Sequence, residues 1–448
     1  MSTQVAAIVG LAVMFIIATV LPINMGALAF VGAFIIALIS RMPAREIFAG
    51  FPGDLFVTLV GITYLFAIAH NNGTIDWLVH RAVWLVRGRI AAIPWVMFTV
   101  AAVLTGVGAV SPAAVAIIAP IALRFAHKYD ISPLLMGLIV IHGAQAGGFS
   151  PMSIYGGITN QVVERAGLPR NDLVLFLASL MFNFAIAVFI FLFFGGHRAT
   201  RRTVNPDEPQ AGDTETPNTS TRQLEQGMPD ELRMSETHAS DPDPEYQHSG
   251  LNAQRALTLM GLIALGVGSL AFELNVGLVA ISVAVLLALL APNAQKSAVD
   301  QVSWSTVLLI TGVVTYVAVL QKVGAVDLAG NSVSGIGAPL LGALLLCYIG
   351  GGVSAFASSV AVLGATIPLA VPFLLQGHVQ AVGVVAAIAV SSTIVDVSPF
   401  STNGALVVAS ARAVDKDRFY RQLLVYSAVV VAFGPLLAWL VLVLPGWL

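Results

Sequence analysis

Two stretches, GGFSPMSIYGG at 147–157 and VDVSPFSTNGA at 395–405, set a serine–proline pair and glycine inside long apolar sequence. Hydrocarbon offers no partner to the N–H and C=O groups that a broken helix frees. Irregular backbone at membrane depth therefore persists only where it is buried in protein or lines a cavity. A chain that breaks an apolar helix in this way, and does so twice, can fold in few ways.

The rest of the chain makes the bilayer its solvent. Of 448 residues, 57% are hydrophobic and only 10% charged, where a soluble domain carries about 25% charged residues. Apolar runs fall at 4–20, 23–40, 54–70, 91–127, 133–166 and 172–195, and again at 255–272, 275–292, 304–321, 337–375, 379–411 and 420–446. A spanning helix needs about 20 such residues. The first run follows only Met-Ser-Thr, without a basic region or cleavage pattern, and reads as a first transmembrane helix. Between the two sets lies a polar segment, 196–254, that holds 11 of the 23 acidic residues and reads as a disordered linker. The net charge of −2 leaves no basic footprint for nucleic acid, and the single Cys347 excludes an intrachain disulfide framework or a cysteine zinc cluster.

The two sets match residue by residue. Asn24, Gly26, Gly61, Ala67, Gly73 and Asp76 recur 251 positions later as Asn275, Gly277, Gly312, Ala318, Gly324 and Asp327. Ser111, Pro120, Ser150, Pro151, Ser153 and Gly156 recur 248 positions later as Ser359, Pro368, Ser398, Pro399, Ser401 and Gly404. The expected fold is all-α, with a first repeat over 1–195 and a second over 255–448. Each repeat has about five spanning helices, a re-entrant hairpin (91–127 and 337–375) and a broken helix (133–166 and 379–411). Five crossings per half invert one half against the other. With the N-terminus outside, 16 of the 21 Lys and Arg residues fall on the cytoplasmic side, together with the linker.

Inverted repeats with a broken helix in each half point to a transporter's midplane site. Exposed helix N-termini bind anions without a full positive charge, and the freed carbonyls can hold a small cation. Ser150, Pro151, Ser153, Ser398, Pro399, Ser401, Thr402 and Asn403 lie at the breaks, and Ser111, Ser358 and Ser359 at the hairpin tips. These are the candidate substrate residues. None of the four motifs contains Lys or Arg. Gly147, Gly148 and Asp396 are candidates for a coupling ion, because an acid at membrane depth is costly and usually functional. Asp396 could ligate Na⁺, carry a proton or cap the following helix. Its repeat counterpart is Gly148, so the acid is not part of the symmetry. His142 and Gln145 precede the first break, and a lone intramembrane histidine is more often a packing residue than a ligand. Asp76 and Asp327 are expected as N-caps of short interfacial helices.

The segments FAGFPGDLFVTLVGITYLFAIAHNNGTID (48–76), GGFSPMSIYGGITNQVVERAGL (147–168) and TIVDVSPFSTNGALVVA (393–409) resemble the malonate-type dicarboxylate carriers of the ion-transporter superfamily, relatives of the divalent anion:sodium symporters. The resemblance implies two inverted repeats, two re-entrant hairpins and a transport domain that slides as an elevator against a dimeric scaffold. It implies a cation-coupled carrier of small dicarboxylates in a bacterial-type inner membrane, with no cofactor beyond a possible coupling Na⁺. One departure stands out: the hairpin tips read VSPAA and FASSV, without the Ser-Asn-Thr of the sodium–dicarboxylate branch. The rival reading is a cation/proton antiporter on the same architecture. A primary pump is excluded by the absence of a Walker A motif, and an enzyme is not expected.

The orientation is testable. In a Cys347→Ala background, Ser2→Cys should react with an impermeant maleimide on intact cells and Ser220→Cys should not; the opposite pattern would overturn it.

Overall fold

The computed structural model describes residues 2–21, 23–85, 89–194, 251–272, 274–290, 292, 297–325, 328, 339–355, 359–375, 379–411 and 415–446. The body of the linker, Ser358 and Asp327 lie outside the described residues. The regular elements among those described are helices. The first half comprises α1 (Thr3–Val20), α2 (Met25–Ser40), α3 (Ala44–Ala49), α4 (Gly53–Asn71), α5 (Thr74–Leu85), α6 (Ile93–Gly106), α7 (Ser111–Lys128), α8 (Pro133–Gly147), α9 (Ile154–Arg165) and α10 (Asp172–Phe193). The second half comprises α11 (Ala253–Ala271), α12 (Val276–Leu290), α13 (Trp304–Lys322), α14 (Pro339–Ser354), α15 (Ser359–Leu375), α16 (Ala381–Ile394), α17 (Thr402–Ser410) and α18 (Lys416–Leu442). Among the described residues, five helical segments are long and apolar enough to cross a bilayer.

Two units are too short to do so helix by helix. The 14-residue α6 rises only about 21 Å at 1.5 Å per residue, against about 30 Å of hydrocarbon. It turns at 107–110 into α7, and α6 and α7 pack on each other and on α8. The α14–α15 unit does the same on α16. Pro120 sits inside α7. Asp76 is in the first turn of α5 and is not its cap. The Asn72 side chain takes that place, accepting the Thr74 N–H at 3.0 Å.

The packing comes in matched pairs. α4 lies against α12 as α13 lies against α2, α8 against α10 as α16 against α18, and α15 against α9 as α17 against α7. The first pair depends on glycine. A Cβ on Gly312 would lie 2.1 Å from the Gly26 carbonyl oxygen, and one on Gly26 would lie 2.0 Å from the Leu308 carbonyl oxygen. At the other crossing, a Cβ on Gly61 would lie 2.7 Å from the Gly277 carbonyl oxygen, and one on Gly277 2.6 Å from the Thr58 Cα. In lipid, helices associate through close packing of small residues rather than through hydrophobic exclusion. These four glycines, matched in the sequence as Gly26/Gly277 and Gly61/Gly312, thus join the halves by backbone contact. At the α2 crossing the Asn24 side chain adds hydrogen bonds to the Ser305 carbonyl at 2.9 Å and hydroxyl at 3.0 Å.

Gly312→Ala should cost about 1–3 kcal/mol of stability through overpacking, lowering the thermal midpoint of the purified protein. Gly266→Ala, where an added Cβ meets nothing within 4 Å, should not lower it.

Candidate functional site

Both breaks are built by one local device. α8 ends at Gly147, and α9 restarts with Ser153 as its N-cap, the hydroxyl accepting from the Gly156 N–H at 3.3 Å. After α16, a 3₁₀ turn over Val395–Val397 leads to α17, capped by Ser401, which accepts from Gly404 N–H at 3.4 Å. Each capping hydroxyl also donates back into the break: Ser153 to the Gly148 and Ser150 carbonyls, and Ser401 to the Asp396 (2.6 Å) and Ser398 (2.7 Å) carbonyls. The glycine three residues on is obligatory. A Cβ on Gly156 would lie 2.2 Å from the Ser150 carbonyl oxygen, and one on Gly404 1.9 Å from that of Ser398. The spacing Ser-Pro-x-Ser-x-x-Gly is therefore a fold instruction: it satisfies the freed carbonyls and starts a new helix.

The two breaks and two turns converge. Asp396, 3% exposed, accepts hydrogen bonds from Gln145 Nε2 at 2.9 Å and Asn403 Nδ2 at 3.4 Å. Asn403 Nδ2 also donates to Ser111 Oγ at 2.9 Å. The Ser354 hydroxyl donates to Ser359 Oγ at 2.9 Å, and Ser359 lies near the Asp396 carboxyl. The Tyr155 ring completes the cluster, packed on Gly148 with its hydroxyl near Ser111. All of these side chains are buried. Ser111 opens α7, Tyr155 lies in the first turn of α9, Ser359 opens α15 and Asn403 lies in the first turn of α17. Four helix N-termini thus bring their positive ends to one buried place.

A second network lies behind it. Asn183 Nδ2 donates to the Ser179 carbonyl at 2.9 Å, so Asn183 presents its Oδ1 to His142 Nδ1, also at 2.9 Å. Nδ1 therefore carries the proton, and Nε2 accepts from the Tyr426 hydroxyl at 2.9 Å. Ser179 Oγ donates to the Gln145 carbonyl at 3.0 Å. The imidazole is a tie between α8, α10 and α18, and both of its hydrogen bonds go to that tie.

Residues 1–148, one third of the chain, match a family model described as the N-terminus of the dicarboxylate carrier protein MatC. The fold is similar to that of the YdaH transporter of Alcanivorax borkumensis, a structure described as having an unusual topology: TM-score 0.55, 12% identity, 88% of this chain and 86% of the other covered. No curated protein matches the sequence. Both similarities are to transport proteins. The first covers one third of the chain, and the second shows the fold.

The buried cluster gathers Ser111, Ser359, Asp396 and Asn403 from the sequence expectation. Ser150, Ser153, Ser398 and Ser401 border it, but Ser153 and Ser401 direct their hydroxyl protons into the breaks and Ser150 directs its proton to the Gly106 carbonyl. Ser150 and Ser398 oxygens also accept from Met152 N–H at 3.3 Å and Phe400 N–H at 3.2 Å. Pro151 and Thr402 face outward, and Pro399 is buried. Gly147 is pressed against Ala102, where a Cβ would lie 2.0 Å from its carbonyl oxygen, and Gly148 against the Tyr155 ring, 2.9 Å from a Cβ. Tyr155, Asn183 and Tyr426 are the partners that sequence reasoning missed. Only Tyr155 had a signal: it stands at the repeat position of Asn403.

Ser401→Ala should cost about 0.5–2 kcal/mol, the usual loss of an N-cap, and Gly404→Ala should lower the thermal midpoint further. Thr402→Ala, at an exposed position, should leave it unchanged.

Proposed function

We propose that the chain is a secondary transporter of small dicarboxylate anions, driven by a co-transported cation and working by elevator-type alternating access. The observation that carries the reading is the convergence of four helix N-termini, through Ser111, Tyr155, Ser359 and Asn403, on a site whose motifs hold no Lys or Arg. Such ends attract an anion strongly enough to strip water from it, and weakly enough to release it. The MatC description of residues 1–148 supports a dicarboxylate as that anion.

The inverted-repeat reading is supported by the matched pairs of packed helices. The sharing of sides drawn from charge is supported by which ends meet. Lys322 Nζ lies 3.3 Å from Glu46 Oε2 at the end assigned outside. Asn72 Nδ2 lies 2.7 Å from Thr258 Oγ1 at the end assigned to the cytoplasm. We take the membrane to be a bacterial-type plasma membrane and the working unit to be a homodimer.

Alternating access is supported by one break in the matching. α13 packs directly on α15, so that a Cβ on Gly364 would sit 3.3 Å from Val313 Cγ1. The matched helices α4 and α7 are instead separated by a cavity of about 210 Å³, bounded by Thr63, His70, Ala113, Ala116 and Gln301. The described residues of one hairpin pack on their neighbour, and the other hairpin has an open flank facing the end assigned to the cytoplasm. Exchange of these two arrangements would bring Ala116 to Ile62, the counterparts of Gly364 and Val313.

Uptake of labelled malonate and succinate into proteoliposomes tests the substrate: accumulation above empty liposomes is expected, and none for either acid would refute the reading. Ile62→Cys with Ala116→Cys, in a Cys347→Ala background, tests the motion. Oxidation should stop uptake and reductant should restore it; full uptake by the cross-linked protein would refute the exchange.

A further inference from the structure

The cavity between α4 and the first hairpin has walls of one kind and a rim of another. Phe66 from α4 and Leu104, Val110 and Ile117 from the hairpin line it with hydrocarbon. Thr63 stands in the wall too, but its hydroxyl is spent on the Leu59 carbonyl of its own helix, at 2.6 Å. At the hairpin turn the two elements close up: a Cβ on Gly108 would lie 3.0 Å from Ile62 Cδ1. The polar groups of the lining are at the other end, which is assigned to the cytoplasm. They are His70, in the last turn of α4, and Gln301 and Ser303, just before α13. His70 and Gln301 are exposed, and Ser303 does not spend its side chain on capping α13. The rim thus offers an imidazole, an amide and a hydroxyl as donors, and none of the residues that line the cavity is acidic.

An apolar pocket with a few donors at its mouth is complementary to an aliphatic chain that ends in an acceptor. A second carboxylate would have to lie against Phe66 and Leu104 with no donor to meet it, at a large desolvation cost. A dicarboxylate therefore does not fit, and a monocarboxylate does. A dry cavity of about 150 Å³ takes up the six carbons of benzene; by that ratio the cavity of about 210 Å³ takes a chain of about eight. We propose that this crevice binds a medium-chain monocarboxylate, with its tail toward the hairpin turn and its carboxylate at His70, Gln301 and Ser303. The bound tail keeps Ala116 from reaching Ile62. The inference rests on the alternating-access reading above and adds an inhibitor to it: the chain fills the space that the exchange has to close, and more dicarboxylate does not displace it. The matched place in the second half is taken by the approach of α15 to Val313, so one such molecule binds per chain.

The test is binding of ¹⁴C-octanoate to the purified full chain in lipid nanodiscs, with empty nanodiscs as the blank. Expected is one saturable octanoate per chain, not displaced by succinate. Affinity should rise roughly fourfold per methylene from hexanoate to octanoate and gain nothing further at decanoate, whereas partition into lipid goes on rising. Ala113→Leu, which fills the crevice from an exposed position, should weaken binding at least about tenfold. His70→Leu combined with Gln301→Leu should weaken it too, and Ser282→Ala should leave it unchanged. Gel filtration establishes that each variant is folded, and the rim variant decides the matter if Ala113→Leu is not. No saturable binding above the blank, a steady gain through decanoate, or undiminished binding by the folded variants would overturn the site. The wedge is read from the rate of disulfide formation in Ile62→Cys with Ala116→Cys, in the Cys347→Ala background. Octanoate at ten times its Kd should slow it about tenfold; binding with no slowing would overturn the wedge. The two readings fail separately. If the cysteine pair never joins, even without octanoate, the exchange falls and octanoate binding still decides the site. If the pair joins and octanoate does not bind, the exchange stands and the site is removed.

Discussion

The structure depends on one constraint: a peptide group in hydrocarbon must find its partner inside the protein. At each break the chain meets it with a single serine, whose hydroxyl caps the new helix and donates to carbonyls left by the old one. Because the backbone is satisfied locally, the side chains of neighbouring residues are free to face inward. Asp396, Asn403 and Tyr155 are such residues, and each lies within seven positions of a capping serine. The break is thus a frame, and the polar cluster is what the frame presents.

Much of this frame was legible in the sequence. The fixed offsets of 251 and 248 residues identified both breaks, both turns and the acid that lacks a counterpart. Helix boundaries followed because Ser, Pro and Gly act through local backbone geometry, which spacing encodes. Side-chain direction did not follow. Ser150 and Ser153 read as ligands because a hydroxyl beside a break looks the same in sequence whether it faces a site or its own backbone. The Gln145–Asp396 hydrogen bond joins residues 251 apart on unlike positions of the two halves. Matching of like with like could not reveal it. Tyr155 and Asn403 share a position and no chemistry, so a search for identities passed over both.

The departures from symmetry carry the specific chemistry. Where the halves agree, the residues are small or capping, and they set crossings and breaks. Where they differ, at Gly148 and Asp396 or Tyr155 and Asn403, one half supplies charge and amide oxygen and the other an aromatic wall. The His142 tie to Asn183 and Tyr426 is likewise single, since valine stands at the matched position, Val390. It fixes the helix that carries Gln145 between two long neighbours, so the asymmetric site rests on an asymmetric support.

The glycine crossings also bear on how the chain is made. α2 and α4 find their partners in α13 and α12, so neither half completes its own packing. α4 has been synthesised and has entered the bilayer about 200 residues before α12 leaves the ribosome, a wait of roughly 10–40 s at usual rates of translation. Throughout that time its close-packing face, centred on Gly61, has only lipid or another chain's helix to rest against. Biogenesis therefore includes an interval in which the first half is inserted but unassembled. The long connection between the halves must let the second half reach it within the same molecule before a neighbouring ribosome's product does.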